Sequence, residues 1–350
     1  MPSSYLGVAN GLGSRVISLL LVGWFRIKDY MKYYTVFAAM VWAGYVHAVG
    51  PSTVVHVSGD RQIVAQGAAI SQPMVARAVD AEGKPVRGTG MIMGPLTNGD
   101  PGPTLQDEFG FRGFNVTQDW VDYLAFNFPP PQYMLADADG LVKSIFDSPN
   151  ASPATYVLGV AVLEGTRNSK TVPQIFFTIV RTVGTPSGRP VVAVEYFNLA
   201  VRHYFLTANE AEVNALESGL FTNWRRSVGG FAVYPTTLEA PAGVVPVCRF
   251  FSSQYTSHFY TADEAECEAV KAKWPETWTF ETRNAFYVIP VDRITGDCPP
   301  EFQPVYRLYS NRNGPSHRYV TDAKLRDTMV SQGWVAEGFG NSATVFCSNR

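Results

Sequence analysis

"SHFYTADEAECEAV", residues 257–270, decides how the second half of the chain is read, because the chain writes it two more times. "RHYFLTANEAEVNAL" stands upstream at 202–216 and "SHRYVTDAKLRDTMV" downstream at 316–330. Each copy carries a His with an aromatic two residues on: His203/Phe205, His258/Tyr260 and His317/Tyr319. Asn209, Asp263 and Asp322 follow at offsets of six, five and five. A short helix is predicted next. Thr207-x-x-Glu210 and Thr261-x-x-Glu264 read as capping boxes, with Thr accepting from a free helix N–H and Glu reaching back. The third copy has Lys324 in the Glu position. Leu216, Val270 and Met329 lie seven residues past Asn209, Asp263 and Asp322, which gives each helix one apolar stripe.

Outward from these segments the likeness continues. A short strand opens each unit: "VEYFN" (194–198), "CRFFS" (248–252) and "YRLYS" (306–310). A Trp recurs at Trp224, Trp278 and Trp334, and "FAVYP", "AFYVIP" and "ATVFC" close the units as strands. The His positions are 55 and 59 residues apart. One such unit cannot bury its apolar face alone. The three are therefore predicted to close into a pseudo-threefold, β-trefoil-like domain with short helices over 191–350.

The whole chain has 350 residues, 46% hydrophobic and 17% charged, the profile of a folded chain of two ordinary domains. A formal net charge of −2 favours neither nucleic acid nor an anionic membrane surface as partner. The 13% of aromatic residues favours strands over helix bundles.

"MKYYTVFAAMVWAGYVHA", from Met31, has a basic start, an apolar run and a small-residue site at Val46-His47-Ala48. It reads as a signal peptide, with 1–30 an upstream extension and Met31 an alternative start. Export follows, to the outside of the cell or its surface, with the periplasm as alternative. "VISLLLVGWF" (16–25) leaves an uncleaved anchor as the competing reading. Without residues 1–48 the chain has 24 basic and 29 acidic residues, a net charge of −5, and no membrane span.

Four cysteines, Cys248, Cys267, Cys298 and Cys347, read in an exported chain as two disulfides with three conceivable pairings. The repeats favour Cys248–Cys267 within one unit and Cys298–Cys347 around the next. A zinc site is disfavoured, because no Cys-x-x-Cys occurs. No metal and no cofactor are expected.

Residues 49–183 read as short strands with turns at "DAEGKPV" (80–86) and "DADGLVKSIF" (137–146). "TYVLGVAVL" and "QIFFTIV" supply two more strands, and "VGTPSGRP" (183–190) includes the linker 184–190. The pattern is that of a β-sandwich. Asp137-x-Asp139-Gly140 could be half a calcium loop, but a hairpin turn explains it better. "VSGDRQIVAQGAAISQPMVARAVDAEGKPVRG" and "ADADGLVKSIF" resemble a bacterial Ig-like domain of the invasin/intimin type, which implies an Ig-like β-sandwich. The stretch 94–135, rich in Pro and aromatics, departs from that family as an insert, either a binding loop or an apolar lid. Residues 191–348 resemble an uncharacterised domain of exported bacterial proteins in their strand, His, cap, Gly-Trp and Cys positions. That resemblance implies an architecture and no reaction.

The candidate ligand-binding residues are His203, His258, His317, Tyr204, Tyr260, Tyr319, Trp224, Trp278, Trp334, Arg249 and Arg307. Flat rings stack on sugar faces, and repeated pockets give avidity. The competing reading makes the same rings core and the imidazoles fixtures of the turn. Arg249 and Arg307 match Glu195 in position and either bridge to Asp263 and Asp322 or face a ligand. No Gly-x-Ser-x-Gly, His-Glu-x-x-His or phosphate-cradling loop occurs, and no catalytic residue is assigned. The favoured function is non-enzymatic binding or adhesion, with a glycan or surface protein as partner. An accessory module or hydrolase acting on extracellular or cell-wall polymer is the alternative.

Overall fold

The computed structural model describes residues 53–95, 132–144, 153–162 and 174–350, apart from 219, 222 and 313. The expected signal segment and the middle of the 94–135 insert lie outside the described residues. Residues 50–350 form one compact, mainly β unit.

Its N-terminal part has two sheets. Strands β1 (Thr53–Ser58), β3 (Val75–Val79) and β6 (Leu141–Lys143) form one, all antiparallel. The other runs β2-β8-β7-β4-β5, from β2 (Gln62–Ala65) through β8 (Gln174–Thr182), β7 (Ala154–Val162) and β4 (Gly90–Pro95) to β5 (Gln132–Leu135). Only β2 and β8 run parallel. Met74, Ala76, Met91, Val142, Leu158 and Phe177, drawn from both sheets, share one core. The strand leading into the insert pairs with the insert's last strand, Gly90 opposite Leu135 and Met93 opposite Gln132, so β4 and β5 are antiparallel neighbours.

Both predicted Asp turns form. Asp80 Oδ1 accepts from the N–H groups of Glu82 and Lys84 at 3.0 and 2.8 Å. Asp137 Oδ1 accepts from Asp139 and Leu141, both at 2.9 Å. Gly140 completes the second turn at φ +70°, where a Cβ would lie 2.6 Å from the Ala78 carbonyl oxygen. Backbone N–H groups occupy this carboxylate, as in a hairpin turn.

The three repeats share one plan. In the first, β9 (Val191–Asn198) is flanked by β10 (Tyr204–Thr207) and β11 (Trp224–Val233). In the second, β13 (Cys248–Ser252) lies between β14 (Ser257–Thr261) and β15 (Thr279–Thr282), while β12 (Val245–Pro246) pairs with β16 (Tyr287–Val288). In the third, β17 (Phe302–Ser310) carries β18 (Ser316–Val320), β19 (Val335–Glu337) and β20 (Thr344–Asn349). A helix follows the second strand each time: α1 (Glu210–Glu217), α2 (Glu264–Lys273) and α3 (Ala323–Ser331). Val194, Phe231, Val247, Phe286, Val305 and Phe346 from all three repeats meet in one core. No closed barrel forms among the described residues.

The helix starts differ from the predicted capping boxes. Asn209, Asp263 and Asp322 are the N-caps, each accepting from two backbone N–H groups of its helix. The Thr stands one step back, with Thr207 Oγ1 accepting from the Asn209 N–H and Thr261 Oγ1 from the Asp263 N–H, both at 3.0 Å. A short Asp or Asn side chain at the cap itself reaches the free N–H groups directly. Glu210 and Glu264 therefore do not reach back; Glu212 instead accepts from the Thr207 hydroxyl.

The cysteines pair as the repeats suggest. Cys248–Cys267 ties β13 to α2 with Cα atoms 6.2 Å apart, and Cys298–Cys347 ties the entry of the third repeat to its last strand at 5.8 Å.

Candidate functional site

Strand register corrects the repeat alignment. His258 lies opposite Phe251 and His317 opposite Tyr309, but in the first repeat Tyr204, not His203, lies opposite the matching Phe197. His203 stands one residue earlier, where the other repeats have Ser257 and Ser316. Its cap offset of six instead of five is the sign of this shift. The equivalent sets are thus Tyr204/His258/His317, Phe205/Phe259/Arg318, Leu206/Tyr260/Tyr319 and Glu195/Arg249/Arg307.

These sets form the joints between neighbouring repeats. Arg249 of the second repeat lies over the Phe205 ring of the first at 5.4 Å and grips Glu212 of α1 through two bonds of 2.9 and 2.7 Å. Arg307 of the third lies over Phe259 of the second at 4.8 Å and grips Glu266 of α2 at 2.9 and 2.8 Å. Neither Arg reaches the cap Asp of its own repeat; besides the helix carboxylate of the preceding repeat, each binds a strand carboxylate of its own, Arg249 to Glu281 at 2.7 Å and Arg307 to Glu337 at 2.9 Å. Below them, His258 packs on Phe205 at 4.4 Å and His317 on Phe259 at 5.0 Å. The Tyr260 hydroxyl donates to the Leu206 carbonyl at 2.6 Å and accepts from its N–H at 3.1 Å. Tyr319 does the same to the backbone of Tyr260, at 2.8 Å each way.

The joint that closes the ring swaps its charges. Glu195 occupies the Arg position, and Arg318 the Phe position. They pair through two bonds of 3.0 Å, and Ser227 adds a hydroxyl to the same carboxylate. Arg318 also covers the Tyr204 ring at 4.5 Å. Leu325 stands where α1 and α2 carry Glu212 and Glu266.

Burial sets the electrostatics. It pushes the Glu212 and Glu266 carboxyls up, but the bonds from Arg249 and Arg307 outweigh it and hold both below the usual range. Burial, with the Arg249 charge, pushes the His258 imidazole down to about 3, and burial likewise lowers His317. Both rings are neutral at pH 7.

The candidate residues thus stand mostly inside. His203, Tyr204, Tyr260, Tyr319, Trp334 and Arg307 are buried, and His258 and His317 are at most 9% exposed. His203 Nδ1 bonds the Tyr255 carbonyl in the hairpin loop of the second repeat at 2.7 Å. Trp224, Trp278 and Arg249 are half-buried. Trp278 packs between Phe259 and His317, both at 6.0 Å.

Two groupings escaped the sequence reading. One is a charged cluster between the N-terminal sheets and the first repeat. Buried Arg226 on β11 binds Asp60 Oδ1 at 2.7 Å and also pairs with Glu217 at the end of α1. Arg61 bonds Glu210 at 2.5 Å, and the Tyr196 hydroxyl donates to Glu217 at 2.8 Å. Burial raises the Glu217 carboxyl, but its bond from His56 and the Arg226 and His56 charges outweigh this and hold it at about 2. His56, Asp60 and Glu217 lie close enough to suggest a metal centre, yet Arg226 and Arg61 already compensate the carboxylates. The other grouping is an exposed corner of the second repeat. Trp274, the α2 C-cap, is 51% exposed and Phe280 on β15 is 39% exposed. Lys271 Nζ lies 4.0 Å over the Phe280 ring, and Arg283, Glu264 and Glu268 pair nearby. "KWPETWTF" (273–280) was the available signal, since neither of the other repeats has a second Trp there.

The chain matches a domain of unknown function (DUF5648) twice in succession, over residues 177–289 and 278–346. The matches take in the last strand of the N-terminal sheets and all three repeats. No curated protein and no solved structure matches the chain.

Proposed function

We propose that this chain is an exported, non-enzymatic binding module that takes a glycan on the exposed corner of its second repeat. The observation carrying the reading is Trp274, a large ring left half in solvent on a domain that buries most of its aromatics, with the exposed Phe280 of the same repeat carrying Lys271 over its ring. An exposed ring offers a flat apolar face to the axial C–H groups of a sugar, and cations and carboxylates beside it bind hydroxyls. Lys271, Glu268 and Arg283 supply those groups. The buried joints then act as scaffold, in which each repeat holds the next in register. We read the N-terminal sheets as an Ig-like sandwich and the repeats as a trefoil-like arrangement, with the segment at Met31 as export signal. Two disulfides, and the absence of any helix among the described residues long and apolar enough to cross a membrane, are compatible with an extracellular place.

A glycan array probed with residues 49–350 tests the reading. Binding should appear, quench Trp fluorescence on titration, and be lost in Trp274→Ala while unfolding stays cooperative. An array without signal, or a signal unchanged in Trp274→Ala, overturns it.

A further inference from the structure

His56 makes two contacts that a neutral imidazole cannot satisfy together. Its Nε2 lies 2.7 Å from the carbonyl oxygen of Phe176 on β8. Its Nδ1 lies 3.1 Å from Glu217 Oε2 at the end of α1. Both partners are acceptors, so each ring nitrogen needs a proton. Either neutral tautomer turns a lone pair toward an oxygen.

The surrounding charge says the same. Asp60 follows on the β1–β2 turn with Oδ2 3.9 Å from Nε2, and Arg61 lies 3.6 Å from the same carboxylate. From the first repeat, Arg226 joins Asp60 to Glu217, Tyr196 donates to Glu217, and Glu210 holds Arg61. On β3 the residue opposite is Ala76, and from β8 the Phe177 ring meets the imidazole edge-on at 4.9 Å. Three carboxylates thus face two guanidinium groups, and the cluster is neutral only when His56 carries the third positive charge. The His56 side chain is 20% exposed, so protons exchange with solvent.

We propose that His56 is a proton-operated clasp between the N-terminal sheets and the first repeat, closed when the imidazole is doubly protonated and weakened when Nδ1 loses its proton to solvent. Loss of that proton replaces the Nδ1–H···Glu217 bond by two opposed lone pairs, while Arg226 keeps its own bonds. The seam is then tighter in acid than in base, opposite in sign to the effect of His258 and His317.

The test compares urea midpoints of wild type and His56→Gln at about pH 5.5 and 8.5, a span that crosses the range in which histidine changes charge. Comparing variants at each pH cancels the other histidines. The wild type should exceed the variant at pH 5.5, with the gap at least halved at pH 8.5. Glu217→Gln, which keeps shape while removing the charge, should shrink the pH dependence likewise and serves if His56→Gln fails to fold. The imidazole 15N shifts of His56 at pH 5.5 should show both nitrogens protonated. A gap equal at both pH values, or a neutral His56 ring at pH 5.5, overturns the proposal.

Discussion

The joint that closes the ring is where a single substitution should cost most. Glu195 and Arg318 are 2% and 4% exposed and bonded twice at 3.0 Å. Arg318→Phe leaves the Glu195 carboxylate with Ser227 alone. Glu195→Leu leaves the guanidinium with the Met329 sulfur at 3.8 Å and the Tyr204 ring. Stranding one member of a buried pair costs about 3–5 kcal/mol, whereas replacing both by apolar groups is often neutral. The double variant should therefore return to within about 1–2 kcal/mol of wild type, a coupling of several kcal/mol. The open joint gives the comparison: Arg249 and Glu212 are 13% and 30% exposed, so water compensates a lost partner. Arg249→Met should cost roughly 1–3 kcal/mol, the range for an unmade, partly solvated bond. Urea unfolding followed by Trp fluorescence measures all four. Additive single costs, or an Arg249→Met cost as large as that of Arg318→Phe, would refute the reasoning.

Further outcomes follow from the same contacts. Tyr260→Phe removes the hydroxyl that serves both backbone groups of Leu206 and should cost about 1–3 kcal/mol in urea unfolding, with the fold retained. Replacing Cys248 and Cys267 by Ala should lower stability by about 3 kcal/mol, and replacing Cys298 and Cys347 by about 4, because the spans closed are 19 and 49 residues. His258 sets an acid limit. Its folded value of about 3 lies below the ordinary 6.5, so its contribution is full above pH 6.5 and lost as pH falls toward 3. The loss should reach about 3 kcal/mol by pH 4, and His258→Phe should flatten that limb of the stability curve.

Local patterns were legible in the sequence and spatial ones were not. Helix positions follow from seven-residue spacing past a capping side chain, and Leu216, Val270 and Met329 all turn inward. Cysteine pairing follows from repeat geometry. The histidine register misled because His203-Tyr204-Phe205 and His258-Phe259-Tyr260 match by letter class, although the strands pair one residue apart. Strand hydrogen bonding fixes the register, and the cap offset of six instead of five is its one trace in the sequence; a one-residue slip moves a side chain to the other face. The charged cluster around His56 could not be read at all, since Asp60 and Arg226 lie 166 residues apart. Glu195 was visible as an odd residue among arginines, but its partner Arg318 sits in a repeat that is distant in sequence and adjacent only after closure.

The oddity of Glu195 has a physical use. Three similar repeats could dock in a wrong cyclic order, because Phe205 and Phe259 offer nearly the same surface to an incoming strand. The charge swap makes the orders unequal. If the first repeat docked on the second, Glu195 would face Glu266; if the second docked on the third, Arg249 would face Arg318. Either error buries like charges, which costs several kcal/mol, while the native order pairs every one of them. A joint no stronger than its neighbours in net energy thus fixes which repeat is first and which is last. Variants carrying Glu195→Leu and Arg318→Phe together should then keep their stability yet refold with a larger misassembled fraction, visible as a slow phase that the wild type lacks.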